Sequence, residues 1–326
     1  MQTRSTDSLE KRVQTEKKAI KWVMVGDLLL AVLGITFFYL TNSQAILMDG
    51  VYPLIDLIAG LLTLRVVTLI TQQASESQPF GYAIFEPVLN FIKGILILLV
   101  VLVALYASVF ALFHGGRQIE ANIAVFYSIV ASVLGFALSY GLHRMNKTAK
   151  SSLIDVDLKG WLIGSVLSVA VGLSFALAIW METTQYKSWV PYVDPLVILI
   201  LILVVLPMPL QILKHNGMQI VGRTGNDEAS QFLQSQVEAV FASVEYSDIK
   251  TRYLQAGRMM YVQVYVQMQA DTDFDLLEQD RYRDALFQHL KQTHDYLSLD
   301  VIYTTHPIWV ARSVGLADGH AQNTQT

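Results

Sequence analysis

The sequence predicts an α-helical membrane protein with six transmembrane helices, followed by a small α/β domain on the cytoplasmic side. Three observations predict it. Hydrophobic residues make up 53% of the 326-residue chain and charged residues only 15%, whereas about a quarter of positions are charged in soluble domains. Six stretches, 20–40, 45–71, 86–113, 121–143, 156–181 and 192–213, have the length of the roughly 20 mainly apolar residues that cross a bilayer. After residue 214 the composition turns polar and the hydrophobic period shortens. A soluble bundle is excluded, because a chain of this size could not bury six such runs.

The first span follows a polar, basic segment, "MQTRSTDSLEKRVQTEKKAIK", assigned as an N-terminal cytoplasmic piece over 1–19. It lacks the short apolar stretch and cleavage site of a signal peptide. Short polar links such as "TNSQ", "HGGRQIEAN" and "HRMNKTAKSS" separate the spans. Lys11, Arg12, Lys17, Lys18 and Lys21, then Arg144, Lys147 and Lys150, then Lys214 and Arg223, fall on one side. The opposite loops hold Arg117 and Lys187. The bias places both termini in the cytoplasm of a multi-pass protein of the inner (plasma) membrane. Trp180, Tyr186, Trp189 and Tyr192 gather at the outer ends of spans 5 and 6 as interfacial anchors.

Residues 214–312 read as a cytoplasmic domain of order αββαβ, ferredoxin-like. "GNDEASQFLQSQVEAVFASV" and "DLLEQDRYRDALFQHLKQTH" have amphipathic helical spacing. "DIKTRYLQ" and "MMYVQVYVQMQ" read as strands joined around Gly257, and "SLDVIYTTH" as a third. Val262, Val264, Val266 and Met268 alternate with polar residues and should face the core. Residues 313–326 are expected to be disordered. His289, His294 and His306 are too scattered to suggest a metal site.

The net charge of -4 argues against a nucleic-acid partner. The absence of cysteine removes disulfides and thiolate metal sites. No histidine lies in the interior of a span, His114 and His143 standing at loop edges, and no acid–base pair suggests an enzyme. What the spans do hold is carboxylates. An ionisable residue inside a span is costly and marks function by default. Asp56 and Asp27 are such residues; a hydrogen-bonded structural role is the competing reading for each. Asp49 precedes Asp56 by seven residues, about 10 Å along a helix axis, and could instead lie in interfacial water. Pro53 between them removes the donor that would bond the Asp49 carbonyl. Asp157 and Asp155 open span 5, where a helix N-terminus also favours acids. Glu86 and Asn90 lie one turn apart on span 3, for which ion entry and N-terminal capping are both open.

The stretches "SQAILMDGVYPLIDLIAG", "QPFGYAIFEPVLN", "GSVLSVAVG" and "YVDPLVILIL", in this order, resemble the cation diffusion facilitator (cation efflux) family across nearly the whole chain. The resemblance implies a homodimeric exchanger that moves divalent metal out of the cytoplasm against protons. It implies no further cofactor, the cation being cargo. It also implies four ligand positions. Those on span 2 are Tyr52 and Asp56; those on span 5 are Gly160 and Gly164, which offer no ligand side chain. Tyr52 is open to direct ligation or to a hydrogen bond with Asp56. Glycines four apart also let membrane helices approach closely. The expected cation ligands are therefore Asp56, Asp49 and Tyr52, with Asp27, Asp157, Glu86 and Asn90 along the path. The alternative is a family member without transport, acting as a binding or regulatory membrane protein.

Overall fold

The computed structural model describes residues 2–41, 44–72, 75–116, 121–223, 227–270, 272 and 274–312. It divides into two compact units, Met1–Gly217 and Met218–Thr326.

The first unit is helical: α1 (Gln2–Thr41), α2 (Gln44–Leu69), α3 (Phe85–Phe113), α4 (Ala121–Ala149), α5 (Ser152–Glu182), α6 (Val190–Val205) and the start of α7 (Pro207–Ile220). Among the described residues, five helical stretches are long and apolar enough to cross a membrane: Glu10–Phe37, Phe85–Phe113, Val125–Ala149, Ser152–Glu182 and Lys187–Ile220. Part of α2 lies outside the described side chains, so this count does not reach it.

The helix ends differ from the expected ones for local reasons. The basic N-terminal segment is the continuation of α1, since neither glycine nor proline interrupts it before Gly26. α4 runs through Arg144 and Lys147 to Ala149, and Lys150 at φ 49 ends it. Ser151 then caps α5, its hydroxyl accepting from the Ile154 amide at 3.4 Å. The expected sixth span is two helices, because Pro207 starts a new one after Leu206.

α5 packs against α1, α3, α4 and α6. On one side Ala19, Val23, Leu138, Leu142, Ile154 and Trp161 form an α1–α4–α5 core. On another, Ile97 and Val101 of α3 meet Val156, Ile163, Ile198 and Ile202. Large apolar side chains cover the outside instead: Leu99, Val103 and Tyr106 on α3, and Leu203 and Val204 on α6, are exposed. Such a surface calls for lipid. Trp180 and Trp189 are likewise exposed at the ends of their helices.

The second unit carries α8 (Asp227–Phe241), β1 (Tyr246–Ala256), β2 (Met259–Met268), α9 (Leu276–Lys291), β3 (Leu297–Thr304) and α10 (Pro307–Arg312). Its sheet is mixed, in order β1-β2-β3, with β1 antiparallel and β3 parallel to β2. The hairpin turns at Gly257, whose φ of 57 suits glycine. Val262, Val264, Val266 and Met268 face the core as their alternation requires, against Leu233, Val237 and Phe241 of α8 and Leu286 and Leu290 of α9.

Candidate functional site

Three polar residues share one face of α3. Glu86, Asn90 and Lys93 are spaced by four and three residues and so line up along a helix. All three are buried, Asn90 completely. Further along the same face the residues become Ile97 and Val101, which join the apolar core. The polar part of this stripe faces the beginning of α5. The Ser152 hydroxyl donates to Glu86 Oε1 at 2.5 Å and accepts from Asn90 Nδ2 at 3.0 Å. The Lys93 ammonium forms an ion pair with Asp157 Oδ1, and both side chains are 4% exposed. Beside this, the Ser151 hydroxyl donates to Glu16 of α1, a carboxylate that is itself buried.

Two more carboxylates complete the cluster. Asp27 of α1 and Asp56 of α2 lie within electrostatic range of each other, of Asp157 and of Lys93. Asp27 is 2% exposed, and its Oδ2 has no hydrogen-bond partner among the described residues. Asn90 Oδ1 is in the same state. Three carboxylates thus face one ammonium, leaving a formal excess of two negative charges. In a site remote from water such charges interact strongly, and an uncompensated one is costly. Such groups call for a counter-charge, whether protons or a cation. Among the described residues no three of His, Cys, Asp or Glu converge closely enough to hold a metal ion.

The structure brings some of the expected residues together and leaves others apart. Asp56, Asp27 and Asp157 share the cluster. Glu86 and Asn90 meet at Ser152. Glu86 lies inside the first turn of α3, while the N-cap is Ile84, so the capping role falls away. Asp155 has a different fate from Asp157: it pairs with Lys159 at 2.7 Å, both partly exposed. Asp49 and Tyr52 lie on α2, both before the buried Pro53, but their side chains are outside the described residues. A Cβ at Gly160 would touch Ile97 Cδ1 at 3.4 Å, and one at Gly164 would meet no described atom within 4 Å. The pair is thus not a tight helix contact among the described residues. That contact is made by Gly135 of α4, where a Cβ would collide with the Ser165 hydroxyl.

Lys93 and Glu16 are absent from the residues singled out by sequence. The signal for Lys93 is legible: an ammonium within a helix of very high hydropathy, in phase with Glu86 and Asn90. Glu16 carries no such signal, because it stands among the charges of the N-terminal segment.

The model of the cation efflux transmembrane domain matches residues 20–221, the part of the chain that holds this cluster. The chain is similar to the manganese efflux system protein MneP of Bacillus subtilis. It is 23% identical over 186 residues, covering 56% of this chain and 61% of that protein. It is similar to the manganese efflux system protein MneS of the same organism, 21% identical over 267 residues, covering 82% of this chain and 88% of that protein. An uncharacterized transporter of Methanocaldococcus jannaschii is 22% identical over 246 residues, covering 75% of this chain and 83% of that protein.

Proposed function

Because the chain belongs to the cation efflux family, we propose that it carries a divalent metal cation out of the cytoplasm across the inner (plasma) membrane, with Asp56 central to the path. The observation that carries this reading is the cluster of buried Asp27 and Asp157 with half-buried Asp56, drawn from three helices. Asp49 and Tyr52 are proposed to approach the ion from α2, and Glu86 and Asn90 to line its way in. Every donor in this set is an oxygen, which favours magnesium or manganese over zinc. The names of MneP and MneS add support for manganese. α2, 26 residues long, is counted as the sixth crossing. The Lys/Arg bias supports cytoplasmic termini. Protons as the counter-ion, a homodimeric state and a ferredoxin-like tail come to this proposal from the family likeness. No resident cofactor is invoked.

The test is flux in proteoliposomes with a panel of divalent cations. Asp56→Ala is expected to abolish flux of whichever cation the wild type carries, with the protein still correctly folded. Flux unchanged by this substitution would remove Asp56 from the path.

A second reading has one specific observation in its favour: Gly160 and Gly164 present no ligand where the family likeness places two. On that reading the fold is kept and metal transport lost, and the protein acts as a binding or regulatory partner. Calorimetry on the purified chain separates the two, since the second expects no ion-dependent heat with any metal of the panel.

A further inference from the structure

The Lys93–Asp157 pair places an ammonium inside the cluster that would receive the transported ion. We propose that Lys93 is a tethered cation that holds Asp157 while the path is empty, and that an arriving divalent cation displaces it onto Asn90 Oδ1. The inference rests on the transporter reading above and assigns to Lys93 the control of cation affinity.

Four observations carry it. The ammonium is buried with its partner rather than reaching water, although lysines near membrane surfaces usually extend to water. The charged groups around it come from every side of the cluster: Asp157 of α5, Asp27 of α1 and Asp56 of α2. Asp27 Oδ2 is buried without a hydrogen-bond partner among the described residues. A carboxyl group so placed calls for a proton or a cation, and the tethered ammonium makes no hydrogen bond to this oxygen. Lastly, a second acceptor lies on the same face of α3, next to Lys93 in the stripe. Asn90 lies one turn before it on the same face, and its amide nitrogen is committed to Ser152 Oγ at 3.0 Å. Its Oδ1 is buried and accepts no hydrogen bond among the described residues. Helical side chains tend to lean toward the N-terminus, the direction in which Asn90 lies from Lys93.

The displacement arises from charge. Asp157 cannot serve a divalent ion while the ammonium holds it, and two cations on neighbouring carboxylates repel strongly away from water. The ammonium must therefore leave as the metal arrives. Transfer to Asn90 Oδ1 keeps it hydrogen-bonded. A purely structural ion pair between α3 and α5 would behave in the opposite way: its loss would loosen the site and weaken cation binding.

The experiment uses the full chain, with manganese as the probe, read by calorimetry in detergent and by concentration-dependent flux in proteoliposomes. Lys93→Met removes the internal competitor and is expected to lower the half-saturating manganese concentration by about tenfold or more. Asn90→Leu removes the receiving acceptor and is expected to raise it by about tenfold. Because Asn90 acts through Lys93, the double variant should match Lys93→Met and not the product of the two effects. Should Lys93→Met fail to fold, Lys93→Arg gives the same test with the charge kept. Its guanidinium forks onto a carboxylate more firmly, so manganese binding should weaken.

If the wild type moves manganese but Lys93→Met leaves its affinity unchanged or weaker, or the two effects simply multiply, the tethered-cation inference is overturned while the transporter reading stands. If no cation of the panel binds to the wild type or to Lys93→Met, both fall. If the wild type is silent to every cation of the panel and Lys93→Met binds manganese, the lysine is a fixed resident cation that no metal displaces, and both the displacement and the transporter reading fail.

Discussion

Gly135 and Gly164 show how differently two glycines can be used on adjacent helices. A Cβ on Gly135 would strike the Ser165 hydroxyl, which is buried and donates to the Trp161 carbonyl at 2.6 Å. Gly135→Ala must push that hydroxyl off its acceptor and is expected to cost roughly 1–3 kcal/mol. Gly164→Ala meets no described atom within 4 Å and should cost less than about 0.5 kcal/mol. Thermal melts of the two variants in detergent, read side by side, check the contrast. The spacing of Gly160 and Gly164 reads in sequence as a packing device, because four residues bring two glycines onto one face. The same spacing says nothing about what lies opposite. That depends on which helix α5 meets at that height, a tertiary fact. Asp27 and Asp56 are legible for a simpler reason, each being a charge in an apolar run; Asp157 is less so, because Asp155 and Lys159 beside it make the start of α5 look like an ordinary charged helix end. Lys93 is the same kind of signal, but an ammonium is no metal ligand, and a likeness built on ligands passes over it.

At the scale of elements, the start of α5 ties the membrane unit together. Ser151 and Ser152 stand side by side, yet serve opposite neighbours: Ser151 donates to Glu16 of α1 and Ser152 to Glu86 of α3. The connection from α4 prepares this. Lys150 takes a positive φ, and Asn146 Oδ1 accepts the Ser151 amide at 2.8 Å. Ser151→Ala removes both the cap of α5 and the hydroxyl donor to Glu16. A loss of roughly 1–3 kcal/mol is expected, read as faster amide exchange over the first turn of α5 in the full chain. The lengths and order of the helices were legible from hydropathy, because lipid demands long apolar runs. Their ends were less so. α1 continues into a polar segment that hydropathy alone treats as outside the span, and Pro207 divides a run whose apolar residues continue past it. In the second unit the alternation of β2 sufficed to identify its inward face. The parallel pairing of β3 with β2 is set by the crossover through α9.

For the whole molecule, the distribution of polar groups within the first unit matters more than any single contact. α1, α2, α3 and α5 each contribute at least one ionisable side chain to the buried cluster, through Asp27, Asp56, Lys93 and Asp157. The exposed faces of the same unit are apolar. The ion pair also has a consequence for stoichiometry. Whether Lys93 rests on Asp157 or on Asn90, its ammonium offsets one of the three carboxylates, and two still need compensation within the cluster. One divalent cation cancels that demand, and so do two protons. A carrier that crosses loaded in one direction with the metal and in the other with two protons is neutral both ways. Its cycle then moves no net charge, and a membrane voltage, which acts on each displaced charge by about 2.3 kcal/mol per 100 mV, gives it no push. Manganese flux in proteoliposomes clamped at different potassium diffusion potentials should therefore be the same at every voltage. Flux that rises steeply with voltage would show that the lysine does not keep this balance.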